Sequence, residues 1–158
     1  MNKKIADLRM EMNKVIKGKD DIIVKIIMTV LASGHILLED NPGLGKTTLA
    51  KTFSKATSMQ DNRIQFTPDT MPSDILGYSM YNQREGKMEF VKGPVFTNLL
   101  LADEINRTSS KTQAALLEAM AEATATVDNV TYQLPKPFIT NTESDHQWWH
   151  TGTSGLPA

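Results

Sequence analysis

Apolar residues at Ile5, Leu8, Met12 and Val15 recur at spacings of three and four, which predicts an amphipathic first helix. Lys17-Gly18-Lys19 breaks that pattern, and Asp20 is placed to cap a second helix. In it Ile23, Ile27 and Val30 share a face beside Ile22, Ile26 and Leu31, and Gly34 ends it. A helix apolar over so much of its circumference is expected to be well buried. His35–Glu39 reads as a short apolar strand. Helical spacing returns from Thr47 to about Ala56, with Leu49, Ala50, Phe53 and Ala56 on one face. Arg63–Thr67 is a short strand, followed by Pro68 and Pro72, which forbid regular pairing. Tyr78–Val91 has the form of a hairpin around the turn residues Arg84-Glu85-Gly86. Leu99-Leu100-Leu101-Ala102 is an unbroken apolar run, the mark of a strand buried on both faces in a parallel sheet. Thr108-Ser109-Ser110 can cap a helix through about Ala123, with Leu116, Met120 and Ala123 in one stripe and Ala114, Leu117 and Ala121 in the next. A second hairpin follows, Thr124–Val127 and Val130–Leu134 around Asp128-Asn129.

Strands alternating with helices around a fully apolar strand define an α/β chain with a parallel sheet. Composition narrows the function classes. The chain has 158 residues, which suits one domain, with 40% hydrophobic and 22% charged residues, an ordinary soluble balance. A net charge of -1 gives no general attraction to nucleic acid or to anionic membranes. The lack of cysteine excludes disulfides, thiol catalysis and thiolate metal sites. No apolar run has the length of a membrane span, and no apolar signal core follows Met1-Asn2-Lys3-Lys4, so the expected location is cytoplasmic. The methionines read as core filler.

Two motifs carry chemistry. Between the His35–Glu39 strand and the helix beginning at Thr47 lies Asp40-Asn41-Pro42-Gly43-Leu44-Gly45-Lys46-Thr47-Thr48. A Gly-rich turn ending Gly-Lys-Thr, placed between a strand and a helix, is a phosphate-binding loop. Its backbone N–H groups point at a polyphosphate, and the helix N-terminus adds its positive end. Lys46 would reach the β- and γ-phosphates, and the Thr47 hydroxyl would ligate Mg²⁺. Asp40 stands where the general pattern has glycine, and Asp tolerates left-handed backbone better than most residues. The second motif is Asp103-Glu104 at the end of the apolar strand. Functional sites of open α/β sheets lie at that edge. Asp103 would hold Mg²⁺ through water, and Glu104 would polarise the attacking water. An exposed strand end leading into the next helix is the plainer reading of this pair. The phosphate loop weighs against it.

These residues resemble the MoxR family of AAA+ ATPases, within the clade carrying an insert in the second helix. The matching blocks include Val15–Asp20, Leu37–Thr47, Gln65–Asp69, Pro72–Gly77, Gly93–Phe96, Ala102–Arg107, Lys111–Met120 and Val127–Tyr132, so that coverage runs from about Ile5 to Phe138. The resemblance implies a P-loop NTPase (AAA+) three-layer fold with a parallel sheet and two inserted β-hairpins, Tyr78–Val91 and Thr124–Leu134, facing the pore of a ring. It implies ATP and Mg²⁺ as cofactors. Asn41, Pro42, Gly43, Leu44, Gly45, Lys46, Thr47 and Thr48 would hold nucleotide, with Ile16 and Gly18 in a segment whose backbone meets adenine. Thr47 and Asp103 would hold the metal, and Lys46 and Glu104 would be catalytic. It further implies self-assembly into a ring, a hexamer when complete, and a client protein such as one bearing a von Willebrand factor A domain.

The resemblance weakens after Thr140. Relatives continue with a longer apolar fourth strand ending Thr-Gln-Asn-Pro, whose Asn is a sensor, whereas this chain reads Phe138-Ile139-Thr140-Asn141-Thr142-Glu143-Ser144-Asp145. Asn141 comes too early for the sensor. The expectation is an AAA+ core over residues 1–140, incomplete at the C-terminus, with 141–158 an irregular, truncated or frameshifted tail and no lid domain. A shortened fourth strand would leave its neighbours' backbone groups unpaired. His146 and His150 would have metal-ligand spacing if helical, but a solvated tail is the better reading. The function expected is an ATP-hydrolysing core of a chaperone-like remodelling ATPase, weakly active or inactive in this chain alone. The alternatives are a nucleotide-binding assembly module without hydrolysis, and a related AAA+ motor of the chelatase or restriction-translocase type.

Overall fold

A computed structural model describes residues 3–37 and 46–143. In chain order the elements are helices α1 (Lys3–Val15) and α2 (Asp20–Leu31), strand β1 (Ile36–Leu37), α3 (Lys46–Thr57), β2 (Asp61–Gln65), the short helix α4 (Pro72–Leu76), β3 (Gly77–Asn82), β4 (Lys87–Lys92) and β5 (Leu99–Asp103). A 3-10 turn (Ile105–Arg107), α5 (Ser110–Glu122), β6 (Thr124–Val127), β7 (Val130–Gln133) and β8 (Ile139–Glu143) complete them.

β1, β8, β5 and β2 lie in that order in one sheet, all parallel. The sheet's two faces carry separate cores. On one, Leu99, Leu101 and Ile139 pack with Met12, Ile23, Ile26, Ile27, Leu49 and Phe53 of the first three helices. On the other, Ile64, Phe66, Leu100 and Ala102 pack with Ile75, Leu76, Leu116, Ala119 and Leu134. The result is a helix–sheet–helix sandwich in which every residue of β5 is buried, as its apolar run requires.

The central strand differs from the sequence expectation. β8 does not stop near Thr140 but runs through Glu143, paired with β5 from Leu99↔Ile139 to Asp103↔Glu143 and with β1 at Ile36↔Asn141 and Leu37↔Thr142. The strand therefore crosses the boundary expected between residues 140 and 141, and its backbone completes both ladders. Thr140, Asn141 and Thr142 are buried, so a polar sequence fills a position where an apolar run was sought. Threonine suits a strand because its β-branched side chain packs on the pleat. Its hydroxyl at 140 meets His35 Nδ1 at 3.1 Å. His35 also receives the Thr140 N–H on Nδ1 and donates from Nε2 to the Met120 carbonyl at 2.7 Å, tying β1, β8 and α5 together.

Other differences are local. β2 starts two residues before the expected Arg63 and ends at Gln65, although the Phe66 N–H still donates to the Asp103 carbonyl at 2.9 Å. Asp20 does not cap α2. Its carboxylate accepts instead from Arg9 and, at 2.8 Å, from Asn13 Nδ2, clamping α1 to α2. Leu31 of α2 and the Ala114, Leu117, Ala121 stripe of α5 face outward, because α5 buries Thr112, Leu116 and Ala119. Ser109 caps α5, accepting from the Thr112 N–H. Both hairpins form. At the second, Asp128 and Asn129 take φ of 50° and 62°, the left-handed pair that a two-residue turn demands. Phe90 of β4 stacks on Tyr132 of β7 with centroids 4.0 Å apart, joining the two hairpins.

Candidate functional site

Asp103 ends β5 at the carboxyl edge of the sheet and Glu104 follows it. The pleat alternates side chains between faces. It puts Asp103 with Leu99 and Leu101 on the face that packs against α3, the helix that Lys46 and Thr47 open. The Asp103 carboxylate is only 4% exposed. Its Oδ2 accepts from Arg63 Nε at 2.6 Å, while its Oδ1 is buried without a partner among the described residues. A buried carboxylate oxygen lacking a donor carries a desolvation cost. A cation, or water held by one, would relieve it. The residues present therefore fit a divalent metal at this carboxylate.

Glu104 has φ 58° and ψ 40°, a left-handed conformation rarely adopted by a residue with a side chain. Such backbone strain clusters at functional sites. The conformation turns the chain sharply out of β5 into the 3-10 turn. Glu104 Oε2 accepts from Gln65 Nε2 at 2.8 Å and lies 3.2 Å from Arg107 Nη1. Arg107 is thus engaged next to the strand end. Beyond it, Thr108 and Thr112 hydroxyls both donate to the Thr70 carbonyl, at 3.1 and 2.8 Å, and Gln113 Nε2 donates to the carbonyls of Ile105 and Thr108. These bonds fasten the loops after β2 and β5 to the start of α5.

Of the other expected site residues, Lys46, Thr47 and Thr48 form the first turn of α3. Asn41, Pro42, Gly43, Leu44 and Gly45 lie outside the described residues, as does Asp40. Ile16 is buried beside α2 and α3, and Gly18 follows with φ 78° in the turn between α1 and α2. Asn141 is in register with Leu101, two residues short of the level of Asp103. Its amide borders a small cavity walled by Ile26, Ile36, Leu49, Ala50 and Phe53. That place lies two residues deeper in the sheet than Asp103.

Sequence reasoning missed Arg63 and Gln65. Asp61, Arg63 and Gln65 alternate with Ile64 and Phe66, so the polar row of β2 shares one face. Each member makes a contact there: Asp61 with Ser54 at 2.8 Å, Arg63 with Asp103, and Gln65 with Glu104. The alternation was the available signal. Its reading needed the strand order, because a polar row on a lone strand looks like a solvated face.

A parallel sheet with a Gly-Lys-Thr sequence leading into the helix after β1 and an acidic pair at the end of β5, one strand removed from β1, defines the class of P-loop nucleotide-binding proteins. Residues 35–158 match the family described as ATPase family associated with various cellular activities (AAA). The chain is 51% identical over 127 residues to the uncharacterized protein YeaC of Bacillus subtilis, covering 80% of this chain and 40% of that protein. It is 41% identical over 129 residues to the chaperone MoxR1 of Mycobacterium tuberculosis, covering 82% of this chain and 34% of that one. A crystal structure of a candidate ATPase from Cytophaga hutchinsonii superimposes with a TM-score of 0.80 at 43% identity, covering 98% of this chain and 46% of that one. The chain belongs to the AAA+ ATPases and, within them, to the MoxR family. It spans less than half the length of each of these relatives.

Proposed function

We propose that this chain is the ATP·Mg²⁺-binding and hydrolysing core of a chaperone-like remodelling ATPase. The observation that carries the reading is the buried, half-satisfied Asp103 carboxylate at the strand edge, on the face of the helix that Lys46 and Thr47 begin. Asn41–Thr48 would enclose the phosphates, with Lys46 as the point charge on the β- and γ-phosphates. Ile16 and Gly18 would border adenine. Thr47 and Asp103 would hold Mg²⁺, which supplies charge neutralisation on the phosphates when bound. Magnesium keeps several waters and takes few protein ligands, so one hydroxyl and one carboxylate suffice. Glu104 would orient and polarise the attacking water. Its side chain is 44% exposed, open enough to meet water, and its bonds to Gln65 and Arg107 set its orientation.

We further propose assembly into a ring, hexameric when complete, and action on a client protein, a reading that membership of the family supports. A client bearing a von Willebrand factor A domain is the partner we assign, with the cytoplasm as the location. No helix among the described residues is long and apolar enough to cross a membrane. The first hairpin offers Tyr78 and Met80 to solvent on one face and the cross-strand pair Tyr81 and Met88 on the other, apolar side chains suited to gripping a client in the pore.

A single-turnover assay tests the reading, because it detects slow hydrolysis. Glu104→Gln keeps the shape of the carboxylate but not its basicity. We expect it to bind ATP·Mg²⁺ within a few-fold of the wild type and to lose turnover. Wild-type turnover in this variant would place the base elsewhere. Binding without any turnover in the wild-type chain would favour a nucleotide-binding assembly module.

A further inference from the structure

We infer that Arg63 is the positioning residue for the metal-binding carboxylate, fixing one oxygen of Asp103 so that the other is left for the cation. The inference rests on the nucleotide-site reading above. β2 and β5 run parallel with Arg63 opposite Leu101 and Gln65 opposite Asp103, so Arg63 lies one pleat back on the same face. Its guanidinium reaches forward along that face and donates Nε to Oδ2 at 2.6 Å. The two ends of this bond sit in different surroundings: the Asp103 side chain is 4% exposed and the Arg63 side chain 52%.

That asymmetry assigns the roles. A carboxylate taken out of water needs a counter-charge and a donor, or it is strongly disfavoured. Arg63 supplies both, and its permanently charged, rigid guanidinium holds Oδ2 through a directional Nε–H bond as a flexible ammonium would not. Oδ1 then remains as the buried acceptor without a partner among the described residues. The positive charge of Arg63 also opposes a cation, but half of that side chain is in water, where such repulsion is screened. The short directional bond is not screened in this way. Orientation therefore outweighs repulsion, and losing Arg63 weakens the metal site rather than strengthening it.

The test is a Mg²⁺ titration of the purified chain with a fluorescent ATP analogue, beside the analogue's affinity in EDTA. Arg63→Gln should raise the Mg²⁺ midpoint on the order of 10- to 100-fold, the usual effect of losing a partner of a metal ligand. The affinity in EDTA should stay unchanged, which a merely structural lesion would not allow. Arg63→Lys should recover part of the shift, since it restores charge without the fixed donor. In an Asp103→Asn background Arg63→Gln should add nothing. A folded Arg63→Gln with an unchanged or lower midpoint would overturn the inference. Should Arg63→Gln fail to fold, Arg63→Lys decides: a several-fold higher midpoint than wild type supports the role, and equality overturns it. A wild-type chain whose analogue binding ignores Mg²⁺ would sink the site reading itself, and this inference with it.

Discussion

At the scale of single residues, two unsatisfied oxygens mark opposite uses of a buried polar group. Oδ1 of Asp103 and Oδ1 of Asn141 are the buried side-chain oxygens without partners among the described residues. The first is at the strand edge, where a cation can relieve it. The second is two residues deeper, against apolar side chains of α2, α3 and β1, where nothing described does. Replacing an unpaired buried amide with an apolar, β-branched side chain removes a desolvation cost of roughly 1–3 kcal/mol. Asn141→Val should therefore raise the melting temperature by a few degrees in a thermal denaturation scan. A lower melting temperature would mean that the amide has a partner the described contacts do not include. Asp103→Val, by contrast, should lose the Mg²⁺ dependence of nucleotide binding.

At the scale of elements, most of the chain was legible because local chemistry and tertiary packing agree. The Ile5, Leu8, Met12, Val15 pattern, the Leu99–Ala102 run and the Asp128-Asn129 turn each specify an element that forms, although Val15, at the end of α1, is exposed. Three features were not legible, each for a physical reason. β8 is polar but buried, and only its neighbours on both sides show that Thr140–Thr142 belong to the sheet. Asp20 has the chemistry of a cap, yet an arginine 11 residues earlier outcompetes the helix N-terminus for it. The polar row of β2 acquires meaning only when β5 lies beside it. The Asp20 clamp carries a pH prediction. The hydrogen bond from Arg9, then that from Asn13, holds the Asp20 carboxyl well below its ordinary 3.8, at about 2, against a smaller opposing effect of burial. The ionised form is the bonded one, so its contribution to stability is complete above about pH 4. It is lost as pH falls through about 2. Asp20→Asn should lower stability at neutral pH and flatten the acid limb of the stability curve between those values, read from urea melts at several pH values. An unchanged acid limb would show that the clamp does not hold in solution.

At the scale of the whole molecule, α3 packs through Leu49, Ala50 and Phe53 on the sheet face that carries Leu99 and Leu101 of β5, the strand that Asp103 ends. A ligand that binds only the folded chain stabilises it by about 2.7 kcal/mol when present at a hundred times its dissociation constant. ATP·Mg²⁺ should therefore raise the melting temperature by several degrees. Turnover by this chain should be slow, because phosphoryl transfer of this kind gains orders of magnitude from a cationic finger. Arg107, the nearest arginine to Glu104, already pairs with it. The most direct measurement of the central claim is calorimetric titration of ATP·Mg²⁺ into the wild-type chain and into Lys46→Ala. The account predicts saturable binding to the wild type and none measurable to the variant, with the two far-ultraviolet circular dichroism spectra alike. Equal affinity in the two chains would contradict it, because the loop that precedes α3 would then not be the seat of the phosphates.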